Sequence, residues 1–350
     1  MKIIMHLLNT GSYSGAENVA IKIIENTSEK FESVYVSLDG TIRDILKQKN
    51  IRFFPVQKLS YKCIKSAIKI LKPDIIHAHD FTAGIISSVV AGEIPVINHL
   101  HNNSPWIKHL SFKSIVYAIS CLHYKKILTV SSSVIDEYIF GRFLRKKVLV
   151  IGNPIDISKI QNQVLDDTVK PFDVIFLGRL SKPKNPLFFL EIIDKLRKDI
   201  PSVKAIMVGN GELYDEIEKE ISERSLSQNV SLVGFQKNPY SYIAKCKVMC
   251  MPSLWEGYGL AAVECLAFGK PVIASPVGGL PTFIDSTCGK LVATKEGFVK
   301  EIEQCLTNRK YYCKKSLGAF AKIKILDNID EYTTQILDIY EKLIDNSKNI

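Results

Sequence analysis

At 350 residues, 46% hydrophobic and 23% charged, the chain has room for about two domains of ordinary size. That balance excludes wholesale disorder, a collagen-like repeat and a small disulfide-stapled scaffold. No run of about 18 apolar residues occurs, so no membrane-spanning helix is expected, and the eight cysteines are scattered without a C-x-x-C pair, against a zinc ribbon or a disulfide framework.

The formal charge of +10 is uneven. Residues 1–165 carry 21 Lys/Arg against 12 Asp/Glu, and residues 166–350 carry 25 against 24. A phosphorylated substrate, an anionic membrane surface, nucleic acid or a merely solvated Lys-rich face would each account for the basic first half.

In chain order, Lys2–Leu8 predicts a first strand. Its apolar stretch is too short for a signal-peptide core and is followed by a Gly/Ser loop, which suggests a cytoplasmic protein. Ala16, Val19, Ala20, Ile23 and Ile24 then follow helical spacing, and Val34, Val36 and Leu38 alternate as in a strand. Ile75–Ile76, Pro95–Ile97, Ile127–Val130 and Val148–Ile151 are further short buried strands, with helical patterns such as Ile64, Ala67, Ile68 and Leu71 between them. Residues 152–171, rich in Gly, Asn, Pro and Asp, form the best linker candidate. The alternation restarts at Val174–Leu177, Ala205–Val208, Val230–Val233, Val248–Met251 and Pro271–Ala274. From about residue 328, Ile329, Tyr332, Ile336, Ile339, Tyr340 and Leu343 recur on one helical face. This is an α/β chain: two doubly wound parallel-sheet domains, 1–160 and 170–327, and a final helix, 328–350. Ligands of such sheets sit beyond the carboxyl ends of the strands, so functional residues are expected just after strands, in a central cleft that the two domains face.

The strongest local signal is Pro252-Ser253-Leu254-Trp255-Glu256-Gly257-Tyr258-Gly259-Leu260-Ala261-Ala262-Val263-Glu264. A strand ends at Met251, a Gly-rich turn follows, and a helix begins near Leu260. Such a turn leaves backbone N–H groups free at a helix amino terminus, where an anion is favoured. Arg179, a planar fork of donors, and Lys184, a point charge, lie just past another strand end and suit an anionic group. Lys182 competes with Lys184 for that role. No D-x-D pair suited to holding a divalent ion is evident.

The Glu256-to-Glu264 string resembles the E-x7-E signature of retaining glycosyltransferases of family 4, which have the GT-B fold of two Rossmann-like domains. Phe176-Leu177-Gly178-Arg179-Leu180 with Lys184-Asn185-Pro186 resembles the family's G-R-L…K-N segment, Val208-Gly209-Asn210-Gly211 its G-x-G turn, and Gly269–Gly279 its G-K-P-V-I…G-G segment. Ile151–Asp156 resembles its interdomain stretch, and Ser14-Gly15-Ala16-Glu17 its G-G-A-E loop, with Ser14 in place of the first Gly. Lys245-Cys246-Lys247 stands where the family usually has an Asp.

The resemblance implies sugar transfer from a nucleotide-sugar to a saccharide acceptor, lipid-linked, in surface polysaccharide synthesis. It also implies a front-face mechanism with no essential metal or other cofactor, no nucleic-acid partner, and a final helix packing back across the interdomain region. The catalytic set it implies is Glu256, His101, Arg179 and Lys184. The donor-binding set is Gly15, Gly178, Arg179, Lys184, Gly209, Phe235, Glu256, Gly257, Tyr258, Gly259, Leu260 and Glu264.

Three further features carry alternatives. His77-x-His79-Asp80 and His99-x-His101 each put two histidines on one strand face, a ligand geometry that suits a zinc-dependent hydrolase. In the family resemblance His101 approaches the donor sugar, while His77 and His79 read as ordinary strand-end histidines. A catalytically silent nucleotide-sugar-binding protein is the other alternative. Glu17 serves either the Gly15 loop or the dipole of the helix it opens. The stretch Trp106–Lys126, apolar residues mixed with Lys108, Lys113, Lys125 and Lys126, is either a half-buried domain helix or an interfacial helix on an anionic bilayer. The latter would make the protein peripheral at the inner face of the cytoplasmic membrane.

Overall fold

The computed structural model describes residues 1–163 and 166–348. Val164 and Leu165 of the expected linker, and Asn349 and Ile350 of the expected final helix, lie outside the described residues. The chain divides into two units, one of Met1–Pro154 with the segment from Asn328 onward, the other Ile155–Asp327.

The first unit is built on a seven-stranded sheet. Its strands are β1 Lys2–Leu7, β2 Phe31–Leu38, β3 Arg52–Val56, β4 Ile75–His79, β5 Val96–Leu100, β6 Tyr124–Thr129 and β7 Val148–Val150. Their spatial order is β3-β2-β1-β4-β5-β6-β7, every pair parallel. Every residue of β4 and β5 is buried, as a strand covered by helices on both faces requires. The strand order reverses between β1 and β4, so the connections leaving these two strands part to opposite sides. That switch point is where such a sheet receives a ligand.

The second unit repeats the plan with six strands in the order β10-β9-β8-β11-β12-β13, again all parallel. They are β8 Val174–Leu177, β9 Ala205–Val208, β10 Val230–Leu232, β11 Val248–Met251, β12 Val272–Ala274 and β13 Gly289–Leu291. Alternation along the strands sorts side chains into two cores. Val174, Phe176, Val248 and Cys250 pack with the helices Pro186–Asp199 and Lys295–Thr307. Ile175, Met249 and Met251 pack with Leu260–Ala267 and with Ala319 and Ile323 of Arg309–Leu326. Here the switch point falls between β8 and β11.

Several elements are absent from the sequence reading. β3, Arg-Phe-Phe-Pro-Val, lacks alternation and contains Pro55, which an edge strand tolerates because its N–H side need not pair. β13 has three residues, one of them Lys290, at the other sheet's edge. Within the expected linker, Ile157–Gln161 forms a helix of the second unit, capped by Asp156 accepting from the Lys159 N–H at 2.8 Å. The stretch Trp106–Lys126 is also not one helix: it holds a short 3-10 turn at Pro105–Lys108, the helix Phe112–Ser120 and the start of β6.

The final helix, Ile329–Lys348, belongs to the first unit. It buries Tyr332, Ile336, Ile339, Tyr340 and Ile344, each contributing roughly 1.5–3 kcal/mol of apolar burial. The Tyr340 ring meets Phe31 edge-on at 5.4 Å.

Close backbone approach constrains one position sharply. Gly209, just past β9, has φ +146°, and a Cβ there would lie 1.9 Å from the Gly178 carbonyl oxygen. We expect Gly209→Ala to destabilise the protein by about 2 kcal/mol or more, through strain and the forced separation of the turns after β8 and β9. Chemical denaturation checks this, and a loss below about 0.5 kcal/mol would contradict it.

Candidate active site

In the second unit, the residues singled out from sequence lie on the turns after neighbouring strands. β8 delivers Gly178 and Arg179, and a short 3-10 turn then carries Lys184 into the helix that starts at Pro186. Gly178 donates its N–H to the Val208 carbonyl at 3.0 Å, and Leu180 donates to Asn210 at 2.9 Å, tying this turn to the one that holds Gly209. From β11 the chain runs through Ser253 to Glu256, and the Leu254 N–H donates to the Pro183 carbonyl at 2.8 Å. This bond joins the post-β8 and post-β11 turns across the switch point.

There Lys184 and Glu256 form an ion pair. The Ser253 hydroxyl donates to the same Glu256 carboxylate at 2.8 Å. Glu256 is only 5% exposed while the Lys184 side chain is 29% exposed, so a buried carboxylate is paired with a half-buried lysine. A buried carboxylate needs such partners, because an unpaired one is strongly destabilising. Sequence reasoning assigned Lys184 to a diphosphate and Glu256 to a sugar; the structure brings the two side chains together. Arg179 is exposed and makes no ion pair among the described residues.

Gly257, Tyr258 and Gly259 lead into the helix Leu260–Ala267. Gly259 has φ +98°, and no side chain caps the helix, so its amino end presents backbone dipoles with positive sign outward. Gly279 donates to the Gly257 carbonyl at 3.0 Å and pins this turn. The Tyr258 ring packs on Phe283 at 5.2 Å, and its phenol is pushed up by burial. Tyr240 Oη lies 3.5 Å from Glu264, about one turn into the same helix. Phe235, past β10, is 55% exposed.

In the first unit, Gly15 opens the helix Gly15–Thr27. Glu17 is buried and accepts from the hydroxyls of Ser14 and, at 3.1 Å, Thr10. It therefore holds the loop before Gly15, and Ser14 supplies one of its donors.

The H-x-H pairs converge, and they include a residue that sequence reasoning passed over. His6 of β1 is the register partner of His77 in β4, and His79 is the partner of His99 in β5. In-register parallel strands place such neighbours on one face, so five histidines gather at the switch point. His6 Nδ1 lies 3.1 Å from His79 Nε2, His79 Nδ1 2.9 Å from His101 Nε2, and His77 Nε2 3.3 Å from His99 Nδ1. His77 Nδ1 reaches the Tyr340 hydroxyl at 2.6 Å. Asp80 turns aside to cap the helix Phe81–Val90, accepting from the Ala83 N–H at 2.8 Å. Burial pushes His6 and His101 down to about 3. Burial, reinforced by neighbouring histidines, holds His77, His79 and His99 well below the ordinary value. All five are neutral at pH 7. The signal for His6 was its place near the end of a strand, visible only once its neighbour was known.

Residues 13–159 match Glycosyltransferase Family 4, and residues 158–319 match Glycosyl transferases group 1. The chain is 29% identical over 253 residues, 68% of each chain, to the N-acetylgalactosamine-N,N'-diacetylbacillosaminyl-diphospho-undecaprenol 4-alpha-N-acetylgalactosaminyltransferase of Campylobacter jejuni. It is 25% identical over 308 residues, 76% of this chain and 77% of the relative, to the UDP-Gal:alpha-D-GlcNAc-diphosphoundecaprenol alpha-1,3-galactosyltransferase of Escherichia coli. In fold it resembles HepE of Anabaena, solved with UDP and glucose, at a TM-score of 0.84 and 20% identity, covering 97% of this chain and 99% of that one. The zinc-hydrolase reading of the H-x-H pairs gives way to these matches, which together span residues 13–319.

The histidine cluster makes stability pH-dependent. An unfolded histidine takes up a proton below about pH 6.5, whereas the native cluster stays neutral to much lower pH. Stability is therefore full above about pH 6.5 and falls on acidification, by about 1.4 kcal/mol per pH unit for each such histidine. We expect the unfolding free energy to drop steeply from pH 6.5 to 5, and His101→Gln to make that slope shallower by one proton. Urea titrations at stepped pH measure it; equal slopes in the two proteins would contradict it.

Proposed function

The chain belongs to the family 4 glycosyltransferases, and from that premise we propose that it is a retaining enzyme that moves a sugar from a nucleotide-sugar to a lipid-linked saccharide during surface polysaccharide synthesis. The observation that carries this reading is the Lys184–Glu256 pair where the post-β8 and post-β11 turns meet, with exposed Arg179 on one turn and the uncapped helix end at Gly259 on the other. A nucleoside diphosphate gains negative charge as its bond to the sugar breaks. Arg179, the Lys184 ammonium and the helix dipole are fixed positive partners for that charge, so no metal is required at the diphosphate.

Glu256 contacts the donor sugar. Because its carboxylate is committed to Lys184 and Ser253, it is poorly placed as a covalent nucleophile, which favours a front-face path. The acceptor hydroxyl attacks the anomeric carbon on the side the diphosphate leaves, and the departing phosphate oxygen takes the hydroxyl proton. Glu264 and Phe235 serve the nucleoside.

The lipid-linked acceptor follows from the printed activities of the C. jejuni and E. coli relatives, and a feature of the first unit suits it. The helix Phe112–Ser120 is inverted: Ser114, Tyr117 and Ser120 are buried, while Phe112, Ile115 and Ile119 are exposed. Leu110, Leu122 and Phe143 are likewise exposed, and Lys113, Lys125, Arg142 and Arg145 are exposed nearby in sequence. Apolar anchors with a basic rim match the surface of an anionic bilayer, here at its cytoplasmic face. Among the described residues, no helix is long and apolar enough to cross a membrane.

The direct test is a donor panel. UDP-, GDP- and ADP-sugars are screened by thermal shift, and every hit is assayed for turnover in the presence of EDTA. Binding of a sugar nucleotide with transfer that survives EDTA is expected; binding without any transfer would favour a silent binding protein. On the identified donor, Arg179→Ala should lower turnover at least about 100-fold, or about 2.7 kcal/mol, with the fold intact. Glu256→Gln should reduce kcat with nucleotide binding kept, and Glu264→Gln should weaken nucleotide binding instead; the reverse pattern would exchange their roles.

For the membrane surface, co-sedimentation with vesicles containing anionic lipid should exceed that with neutral vesicles and fall as salt rises. The double substitution Phe112→Ser and Ile119→Ser, at exposed positions, should abolish it. Equal sedimentation with both vesicle types would remove the electrostatic part of the reading.

A further inference from the structure

We propose that His79, His99 and His101 bind one divalent transition-metal ion of the borderline class, Zn²⁺ or Co²⁺, with a water or small anion in the remaining coordination position. The site lies wholly within the first unit and does not rest on the transfer reading, although one of its ligands, His101, is also the histidine that the family resemblance sets beside the donor sugar.

The placement follows from strand register. His79 and His99 are side by side on β4 and β5, and His101 follows His99 by two residues on the same face. One ring nitrogen from each of the three lies within 4.8 Å of the others. His79 Nδ1 and His101 Nε2 are 2.9 Å apart, whereas two imidazoles on a tetrahedral zinc, with bonds near 2.0–2.1 Å, sit about 3.3 Å apart. An opening of a few tenths of an ångström admits the ion.

The outer hydrogen bonds select which nitrogens face it. His99 Nδ1 is already engaged with His77 Nε2, and His79 Nε2 with His6 Nδ1. Nδ1 of His79 and Nε2 of His101 hydrogen-bond to each other; the ion takes the place of that bond, with Nε2 of His99 as the third lone pair. His99 Nε2 is buried and has no hydrogen-bond partner in the protein, which is unusual enough in a folded core to need a cause.

With the metal on these three atoms, the protons of His79, His99 and His77 run in one consistent direction, while His101 Nδ1 and His6 Nε2 stay buried without a partner in the protein. His79 donates Nε2–H to His6 Nδ1, His99 donates Nδ1–H to His77 Nε2, and His77 donates Nδ1–H to the Tyr340 oxygen, at the distances given above. No ring has to donate twice. Ligating histidines commonly hand their second N–H to an outer partner in this way, which fixes the tautomer and ring orientation.

Neutral imidazoles are the form a metal requires, and three of them without a carboxylate suit zinc, cobalt, nickel or copper rather than magnesium or calcium. The neighbouring triplet His6, His77 and His79 is the weaker candidate. All three are fully buried, and a metal there would take the nitrogens that now orient the outer partners. His101 is partly exposed, so the chosen triplet has an entry path.

The test uses the full chain, stripped with chelator and then titrated with Co²⁺. One equivalent is expected to produce the intense visible absorption of four-coordinate cobalt, to be displaced by Zn²⁺, and to raise Tm. His101→Gln should weaken Co²⁺ binding by at least about 100-fold and remove the Tm shift. Tyr340→Phe, which keeps the ring but removes the outer acceptor, should weaken it about 10-fold. The double variant His109→Gln, His123→Gln, at exposed positions, should bind as the parent does. Failure of the folded parent to bind a stoichiometric ion would overturn the proposal. So would binding that survives His101→Gln and is lost in the His109/His123 variant.

Discussion

A parallel sheet buried on both faces leaves little room for polar side chains along its length. Its strands bring apolar residues to both helical layers, and polar groups are tolerated mainly where the strands stop and the chain turns. In both units all the strands run the same way, so all of them stop on the same edge, and the reversal of strand order opens that edge at a single place: β1/β4 in one unit and β8/β11 in the other. The chemistry-bearing residues of each unit follow from this constraint. Glu256, Lys184 and Arg179 occupy the second switch point, and the five histidines the first.

The two switch points solve the problem of buried polarity differently. Around β8 and β11 the solution is charge pairing: a carboxylate with almost no exposure is matched by a lysine and a serine hydroxyl. The turns after β8 and β9 are close-packed beside it, because Gly209 lets its backbone approach the Gly178 carbonyl more closely than any side chain would permit. Around β1 and β4 the solution is neutrality. Five imidazoles share protons along two hydrogen-bonded runs, one of which ends on Tyr340 of the final helix. The helix is therefore tied to the sheet by a polar contact as well as by its apolar face, and the chain returns to its first unit after the whole second unit has been made.

Surface and core also trade their usual roles at Phe112–Ser120. A helix that buries Ser114 and Ser120 while exposing Phe112, Ile115 and Ile119 runs against ordinary amphipathic packing. Its buried polar groups are satisfied locally: Ser114 exchanges hydrogen bonds with Ser111 at the helix start, and its carbonyl accepts from the Tyr138 hydroxyl. The exposed apolar side is thus a stable feature of the folded unit.

Strand periodicity, the glycine turns and the spacing from Glu256 to Glu264 were enough to determine two doubly wound α/β units, the final helix and the positions just after strands where chemistry belongs. These signals are local, arising from side-chain alternation and backbone sterics within a few residues. The edge strands β3 and β13 escaped because an edge position demands little of its residues. What only tertiary structure decided depended on register and return of the chain. Lys184 is 72 residues from Glu256, His6 is 73 from His79, and Tyr340 is 263 from His77. The inverted face of Phe112–Ser120 was hidden for the same reason. Whether a leucine or a serine is buried depends on what lies against it, and nothing within the helix itself says which side that will be.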